Sequence, residues 1–480
     1  MTLLQICIFI IISLLTGAFI PKSIRGWFLI ILNILAVFWL QPVSPIRHLD
    51  FWLPVVGIFL VVLAWFLSNQ SCNHRQTWIT IGIISGTIVA VSLLRYLDPI
   101  CCITASRPPS IIQILIFAIP AILIICLINH QFPGNKRFTV IIFLVIVSIF
   151  IILKTDIFTY YSSKILRSLS GQDQSLASPL DLGWIGFSYL AFRLLHYLRD
   201  NQTGKIPANS LDEFFNYALF FPAYSAGPIE RFPNFLKELR KPIENRCMRL
   251  WISPHDFYQG SIRIVNGVFK KFVLADTLAI IALNSQNAAQ INSTFWAWVI
   301  LYAYSFRIYF DFSGYTDIAI GLGRYMGVQL PENFASPYLK TNLAMFWNCW
   351  HITLAQWFRA YIFNPLTRFM RTAKFNFPAW LIILSAQFST MILIGLWHGV
   401  TLNFAIWGLW HAAGLFFHNR WSDWRKSHHF YWENIQGVNK MLTFISWLIT
   451  FNYTVLGWVW FALPNPQISG KILGILFGAK

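Results

Sequence analysis

Long apolar runs recur along the whole chain, and they constrain its fold more than any other feature. A helix needs about 20 residues to cross a bilayer core of ~30 Å, and most runs approach that length. They predict an all-α, polytopic integral membrane protein with about 11 transmembrane helices. The predicted spans are Leu3–Ile20, Trp27–Leu40, Phe51–Ser68, Thr77–Leu94, Ile111–Leu127, Phe138–Leu153, Ile262–Leu283, Thr294–Phe312, Trp380–Leu396, Leu402–Phe417 and Leu442–Leu463. The first run has no basic residue before it and is followed closely by others, so we interpret it as a retained helix.

The charge pattern agrees with a membrane protein. Only 11% of the residues are charged, against roughly 25% in soluble proteins. The formal net charge of +18 is explained by basic cytoplasmic loops, and nucleic-acid binding is not indicated. The positive-inside rule predicts an extracytoplasmic N-terminus, because three basic pairs fall on one side of the predicted topology. These pairs are Lys22 with Arg25, His74 with Arg75, and Lys136 with Arg137.

The seven cysteines show no CxxC pair and no His-x-x-Cys spacing. They predict neither a disulfide framework nor a zinc site, and we expect no metal and no bound cofactor. Cys349 stands between Asn348 and Trp350. This uncharged setting is more typical of inert packing than of a reactive thiol.

The middle of the chain contains interrupted segments. Residues 212–235 mix aromatic residues with prolines and a glycine, which predicts a broken or re-entrant segment. Before it, Arg193 and His196 are spaced to share one helix face. Residues 237–249 form a basic loop, which we place in the cytoplasm. Residues 313–378 predict short helices in or against the membrane, with basic side chains toward the cytoplasm. Those side chains are Arg359, Arg368, Arg371 and Lys374.

Acidic residues stand out in one apolar segment. A charge inside a span costs at least ~2.5–3.5 kcal/mol at the centre of a helix, so Asp311 and Asp317 are expected inside the protein. They either bind substrate or cap and bridge broken helices. Pro331 is typical of a helix start. The substrate-binding candidates of this segment are Asp311, Tyr315, Asp317, Glu332 and Asn333.

Two histidines follow tryptophans in apolar surroundings, His351 after Trp350 and His398 after Trp397. A single such histidine is more often a packing residue, but two suggest a shared buried site. Histidine titrates near neutrality and suits general-base catalysis. Arg359 is expected on the same helix face as His351. Without a visible nucleophile motif, a general base points to direct transfer to a bound hydroxyl. We take Trp350, Trp397 and Arg359 as further substrate-binding candidates.

The phrase Gly-Leu-Trp-His occurs twice, ending at His398 and at His411. Gly395 and Gly399 flank the first histidine, which predicts a close approach of backbone or substrate. His411 is expected to be a packing or interfacial histidine.

The sequence resembles the membrane-bound O-acyltransferase family. The resembling motifs are SYLAFRLLHYL, FFPAYSAGPIERF, YFDFSGYTDIAIGLGRYMGVQLPENFASPYL, FWNCWHITLAQWFRAYIF and GLWHGVTLNFAIWGLWHA, in this order. They look closest to the bacterial branch with alginate O-acetyltransferases and D-alanyl transfer proteins of teichoic acid. The resemblance implies His398 as the family's invariant histidine in a central tunnel, and His351 as its second histidine. It implies residues 1–153 as N-terminal transmembrane helices and 154–480 as the catalytic core.

The resemblance also implies the reaction partners. The acyl donor would be a cytoplasmic thioester, on an acyl carrier protein or coenzyme A, and the acceptor hydroxyl would arrive from the other face. The chain departs from the family pattern where Ala360 replaces an aspartate after Arg359, and where Thr367-Arg368-Phe369 replaces a Gly-Gly. The second departure argues against alginate as the acceptor.

We therefore predict a bacterial plasma-membrane O-acyltransferase that moves acetyl or a similar small acyl group to an extracytoplasmic glycan or envelope polymer. An acyl carrier protein or an extracytoplasmic acyltransferase is the expected partner. The alternative is a transporter or flippase, in which buried acids and histidines carry protons or ligand. Transporters commonly show pseudo-symmetric halves, whereas the polar motifs here crowd into the second half.

Overall fold

The computed structural model describes residues 2–69, 74–97, 103–131, 136–241, 252–428 and 436–479. Within those ranges the protein is helical and contains no strand, in agreement with the predicted all-α class. Cys72, Cys101, Cys102, Cys247 and most of the predicted basic loop 237–249 lie outside the described residues, as does the side chain of Cys126. The chain divides into two compact units. Unit 1 is Met1–Ile264 with Ala319–Leu330, and unit 2 is Val265–Ile318 with Pro331–Lys480.

The helices follow one another with short connections. The first eleven are α1 (Leu3–Phe19), α2 (Lys22–Trp39), α3 (Leu49–Ser68), α4 (His74–Leu93), α5 (Ile111–Gln131), α6 (Lys136–Lys154), α7 (Asp156–Leu169), α8 (Phe187–Gln202), α9 (Leu211–Leu219), α10 (Phe232–Arg240) and α11 (Pro254–Val268). The others are α12 (Asp276–Ala279), α13 (Ser285–Gln290), α14 (Thr294–Tyr325), α15 (Leu343–Trp347), α16 (Ile352–Phe358), α17 (Asn364–Thr372), α18 (Ala379–His398), α19 (Leu402–Ser427), α20 (Gln436–Ala462) and α21 (Pro466–Leu476). Two π-helical segments, Phe269–Ala275 and Arg359–Phe363, continue α11 and α16.

Six helices of the described chain are long and apolar enough to cross a membrane. They are Lys22–Trp39, Leu49–Ser68, Arg75–Tyr96, Lys136–Lys154, Ala379–His398 and Val438–Ala462. Leu3–Phe19 and Ile111–Ile124 are apolar but shorter. The chain is therefore a multi-pass membrane protein, although the predicted number of about 11 spans is not confirmed. The division at residues 153 and 154, and the central tunnel, stay predictions.

The predicted interruption of residues 212–235 is confirmed in unit 1. Helix α9 ends at Leu219, a 3₁₀ turn covers Phe221–Ala223, and α10 begins only at Phe232. A helix that stops inside a protein leaves carbonyl groups without partners. The guanidinium of Arg193 satisfies three of them by donating to the carbonyl oxygens of Tyr217 (3.1 Å), Ala218 (3.1 Å) and Ala223 (2.9 Å). We call this arrangement the Arg193 anchor.

The second predicted interruption is partly wrong. Helix α14 does not end near Phe312 but runs unbroken to Tyr325, so residues 313–325 continue a helix. Short elements occupy the following stretch, as predicted: α15, α16, a π-helical segment and α17. No helix begins at Pro331, and residues 328–335 are irregular. The aspartates of α14 therefore do not cap or bridge broken helices.

Candidate functional site

The α18–α19 hairpin places His398. His398 is the last residue of α18, and α19 begins at Leu402 after a short turn. The two helices approach so closely that a Cβ at Gly395 would lie 2.1 Å from the carbonyl oxygen of Phe404. A Cβ at Gly408 would lie 2.5 Å from the carbonyl oxygen of Met391. The predicted close approach at Gly395 is thus one of backbone to backbone.

Aromatic rings surround the half-buried imidazole of His398. Its ring centroid lies 4.5 Å from the ring of Trp397, 4.7 Å from Phe461 and 5.7 Å from Trp407. The ring of Phe404 is 5.8 Å away. These apolar walls exclude water, which strengthens electrostatic interactions with any group bound at the imidazole.

His351 sits at a strained corner of the backbone. It precedes α16 with φ of 41° and ψ of 54°, the left-handed region that non-glycine residues rarely adopt. Its ring is 4.7 Å from that of Phe312, and the residue is buried. Within the described part of the chain neither ring nitrogen has a hydrogen-bond partner. Strain and unsatisfied buried groups are both more common at functional sites than elsewhere.

Asn333 holds this corner in place. Its carbonyl oxygen accepts from the backbone N–H of Ile352 at 2.9 Å. Its side-chain oxygen accepts from the Thr353 hydroxyl at 2.7 Å and from the Thr353 N–H at 3.3 Å. Asn333 is fully buried, so it acts as a positioning residue for His351. We call His351 and these supporting residues the His351 corner.

Trp397 connects the two histidines. Its ring lies 6.1 Å from that of His351 and 4.5 Å from that of His398. The structure thus brings both histidines to one indole, although they are separated by several elements in the chain. Trp350 is also buried, but its ring contacts Trp458 at 5.0 Å and Phe334 at 5.1 Å.

The aspartates of α14 pair with lysines of the π-helical segment Phe269–Ala275. Asp317 accepts from the Lys270 ammonium at 2.7 Å, and Asp311 accepts from Lys271. Asp317 is buried, whereas the side chain of Asp311 is 51% exposed, so the expected interior placement is wrong for Asp311. Tyr315 is buried on the same helix. Sequence reasoning missed both lysines; the signal was their charge within the otherwise apolar VFKKFVL.

Two other candidates lie apart from the histidines. Glu332 is exposed. Arg359 is exposed too and begins the π-helical segment after α16, whereas His351 is buried before the first turn. The prediction that Arg359 and His351 share one helix face is therefore wrong.

His411 is a buried packing residue, as expected. It lies on α19, fully buried, with its ring 5.0 Å from that of Trp407 and 5.1 Å from that of Trp347. Trp407 also contacts His398, at 5.7 Å. Sequence reasoning missed Trp407 and Phe461 as walls of the site, because packing between separate helices leaves no local pattern.

Comparison with known proteins gives a consistent picture. The model of the MBOAT, membrane-bound O-acyltransferase family matches residues 141–459, which include both site histidines. The chain is 36% identical over 299 residues to the probable alginate O-acetylase AlgI of Pseudomonas syringae pv. tomato, covering 61% of this chain and 51% of that protein.

Two further relatives act on other polymers, as their names indicate. The peptidoglycan O-acetyltransferase of Helicobacter pylori is 36% identical over 276 residues, which cover 56% of this chain and 48% of that protein. The teichoic acid D-alanyltransferase of Bacillus subtilis is 28% identical over 285 residues, covering 58% and 69%. The chain spans about half the length of the alginate and peptidoglycan relatives.

Proposed function

Because the chain belongs to the membrane-bound O-acyltransferase family, we propose that it is an O-acyltransferase. In this proposal acetyl or a similar small acyl group passes from a thioester donor on the cytoplasmic side to a hydroxyl of an extracytoplasmic glycan or envelope polymer. The relatives named for O-acetylation and D-alanylation support acyl transfer to a polymer. The observation that carries the proposal is the placement of His351 and His398 against one indole, Trp397.

His398 is the general base of the proposed reaction. A ring nitrogen takes the proton of the acceptor hydroxyl while that oxygen attacks the thioester carbonyl carbon. The carbon–sulfur bond then breaks, the new ester leaves with the acceptor, and the departing thiolate receives the proton. General-base assistance of this kind contributes typically ~10²–10⁴-fold to the rate. The aromatic walls support this step because they keep competing water away from the thioester.

His351 binds the reacting groups in this proposal. Its unpartnered ring can donate a hydrogen bond to the thioester carbonyl oxygen, where negative charge develops. Asn333 holds the strained corner, so that the ring is oriented before substrate arrives. Trp350, Tyr315, Asp317, Asp311 and Glu332 stay candidate substrate-binding residues.

The donor is an acyl carrier protein bearing phosphopantetheine, or acyl-coenzyme A, used as a co-substrate. Donor and acceptor meet at His398 in a tunnel that crosses the protein. We place the chain in the bacterial plasma membrane with its N-terminus outside, since basic loops favour the cytoplasmic face. An acyl carrier protein and an extracytoplasmic acyltransferase are the proposed protein partners.

The decisive experiment compares His398→Ala with His411→Ala in the purified protein, using a radiolabelled acyl thioester and an envelope glycan fraction. His398→Ala should lower the transfer rate by at least about 100-fold, with an unchanged unfolding temperature. His411→Ala removes an equally apolar histidine of the same hairpin and should keep most transfer activity in the fraction that folds. Full activity of His398→Ala would disprove the assignment.

A second experiment tests the reaction class. Mass spectrometry of envelope glycans from cells with and without the protein should show loss of an O-linked ester in one glycan fraction. An unchanged ester content in every fraction would favour the transporter alternative instead.

A further inference from the structure

A cavity of 180 Å³ lies within unit 2, between α15, α16 with its π-helical extension, α18 and α19. Half of its lining residues are apolar, such as Phe363, Met391 and Leu415. The polar lining residues are Trp347, Asn348, Arg359, Gln387, Thr390 and Asn419. We call it the Arg359 cavity. At ~10–15 Å³ for each water-sized group it has room for about a dozen such groups. It therefore suits a small polar molecule and not a polymer segment.

Arg359 brings a positive charge to this cavity without a matching carboxylate. Its Nη2 donates to the side-chain oxygen of Asn348 at 2.6 Å. Among the described residues this is the only hydrogen bond of the guanidinium, which has five N–H donors, and no ion pair involves it. The next residue is Ala360, so the neighbouring position supplies no negative charge. The remaining donors are available to an anion.

Three other lining residues carry buried polar atoms that lack hydrogen-bond partners within the described chain. They are Trp347 with its indole N–H, Gln387 with its amide oxygen, and Thr390 with its hydroxyl. Trp347 and Thr390 are more than nine-tenths buried. Buried polar groups are nearly always bonded in native proteins, and each unsatisfied one costs about 1–3 kcal/mol. Two donors and one acceptor beside an unpaired guanidinium match a ligand with an anionic end and a polar chain.

We propose that the Arg359 cavity binds a phosphate ester. The phosphate lies on the guanidinium of Arg359, whose planar fork matches phosphate oxygens in a bidentate manner. The polar chain of the ester reaches Trp347, Gln387 and Thr390. Phosphate is favoured over other anions because α17, which follows directly, is a membrane-surface helix. Arg368, Phe369 and Arg371 are exposed on it, and such a helix lies at the level of lipid headgroups.

Two sources can supply this chemistry, a phospholipid headgroup and a soluble phosphate ester. The whole chain is reconstituted in phosphatidylcholine nanodiscs and titrated calorimetrically with sn-glycerol 3-phosphate. In a parallel arm, native mass spectrometry measures phosphatidylglycerol retained from mixed nanodiscs. Saturable binding of one equivalent of glycerol phosphate identifies a soluble source, and selective retention of phosphatidylglycerol identifies a lipid source. Either result supports the site, and failure of both probes to bind overturns it.

Matched variants locate the binding in the cavity. R359Q should weaken binding of the successful probe by at least about tenfold, because it removes charge-assisted hydrogen bonds. T390V should weaken it by about fivefold. R371Q removes an equally exposed arginine outside the cavity and should stay within about twofold of the unaltered protein. Equal losses for R359Q and R371Q would mean general electrostatic attraction and would overturn the proposal.

This binding site does not depend on the role proposed for His398. His398→Ala should bind the phosphate probe as the unaltered protein does, because His398 does not line the cavity. A protein that binds the probe but shows no acyl transfer would refute the proposed function alone. A protein that transfers acyl groups but binds neither probe would refute the Arg359 cavity alone.

Discussion

The Arg193 anchor and the His351 corner both place a nitrogen-rich side chain deep in the protein, but they treat it in opposite ways. The Arg193 guanidinium donates to three backbone carbonyl oxygens that an interrupted helix leaves open. The His351 ring has no hydrogen-bond partner in the described chain, and the neighbouring bonds of Asn333 hold only its backbone. Burial by itself therefore does not distinguish a structural polar group from a candidate site residue.

The difference has an energetic meaning. A buried polar group that is fully bonded is held by its partners, and removing it strands them at about 1–3 kcal/mol each. A buried polar group without partners contributes little to stability, so its retention requires another reason. We therefore expect variants at the anchor to unfold the protein and variants at the corner to change its activity.

The largest effect on stability is expected at the anchor. Arg193→Ala leaves three buried carbonyl groups without donors, which should lower the free energy of unfolding by at least ~3 kcal/mol. Thermal and denaturant unfolding in detergent measures this loss. Arg199→Ala, at the exposed end of the same helix, is the control and should change it by less than about 0.5 kcal/mol. Equal stability of the two variants would contradict the structural role of the anchor.

A second buried pair in unit 1 tests the same rule with pH. Asp181 accepts from Arg167 at 2.9 Å and from the Ser163 hydroxyl at 2.6 Å. Burial raises the pKa of the Asp181 carboxyl, but hydrogen bonds from Arg167 and Ser163 and the Arg167 charge outweigh it. The pKa therefore lies below its ordinary value.

A lowered folded-state pKa means that this pair stabilises the protein above the ordinary aspartate value of ~3.9. That stabilisation should disappear as the pH falls from about 4 through the lower folded-state pKa. Asp181→Asn should cost ~3 kcal/mol at pH 7 because Arg167 loses its counter-charge. The difference between the variant and the unaltered protein should shrink in acid. A constant difference between pH 7 and pH 3 would contradict this account.

The sequence predicts local features well in this protein. Apolar runs identify the membrane helices, and the prolines and glycine of residues 212–235 identify the interruption that Arg193 later stabilises. The repeated Trp-His pairs identify His351 and His398. Each of these signals lies within one short segment, where residue type and spacing directly limit the backbone.

Features that depend on distant segments could not be predicted in the same way. Glycines suggested a break after Phe312, yet α14 continues, since Gly314 packs against Gly267 at backbone distance. The pairing of Asp317 with Lys270 and the support of His351 by Asn333 join segments without any shared periodicity. Such contacts arise from tertiary packing, which a single sequence does not record.

The support of the corner can be measured through Asn333. Asn333→Ala removes the side-chain bonds to Thr353 but keeps the backbone bond, so the His351 ring loses part of its orientation. We expect kcat to fall about tenfold, with little change in KM for the donor. Thr353→Val, which removes only the hydroxyl bond, is the graded control and should cost less. A rise in KM alone, without loss of kcat, would identify Asn333 as a substrate contact instead.

The smallest effect on stability, and the strictest test of the comparison, is expected from His351→Asn. Asparagine tolerates the left-handed backbone at φ of 41°. The variant strands no hydrogen-bond partner, because the ring has none in the described chain. The free energy of unfolding should therefore change by less than ~1 kcal/mol, while acyl transfer falls at least about tenfold. Unfolding titrations and transfer rates on the same preparation measure both. A loss of several kcal/mol with normal transfer would make the corner an anchor like that of Arg193, and burial without partners would then lose its value as a sign of function in this protein.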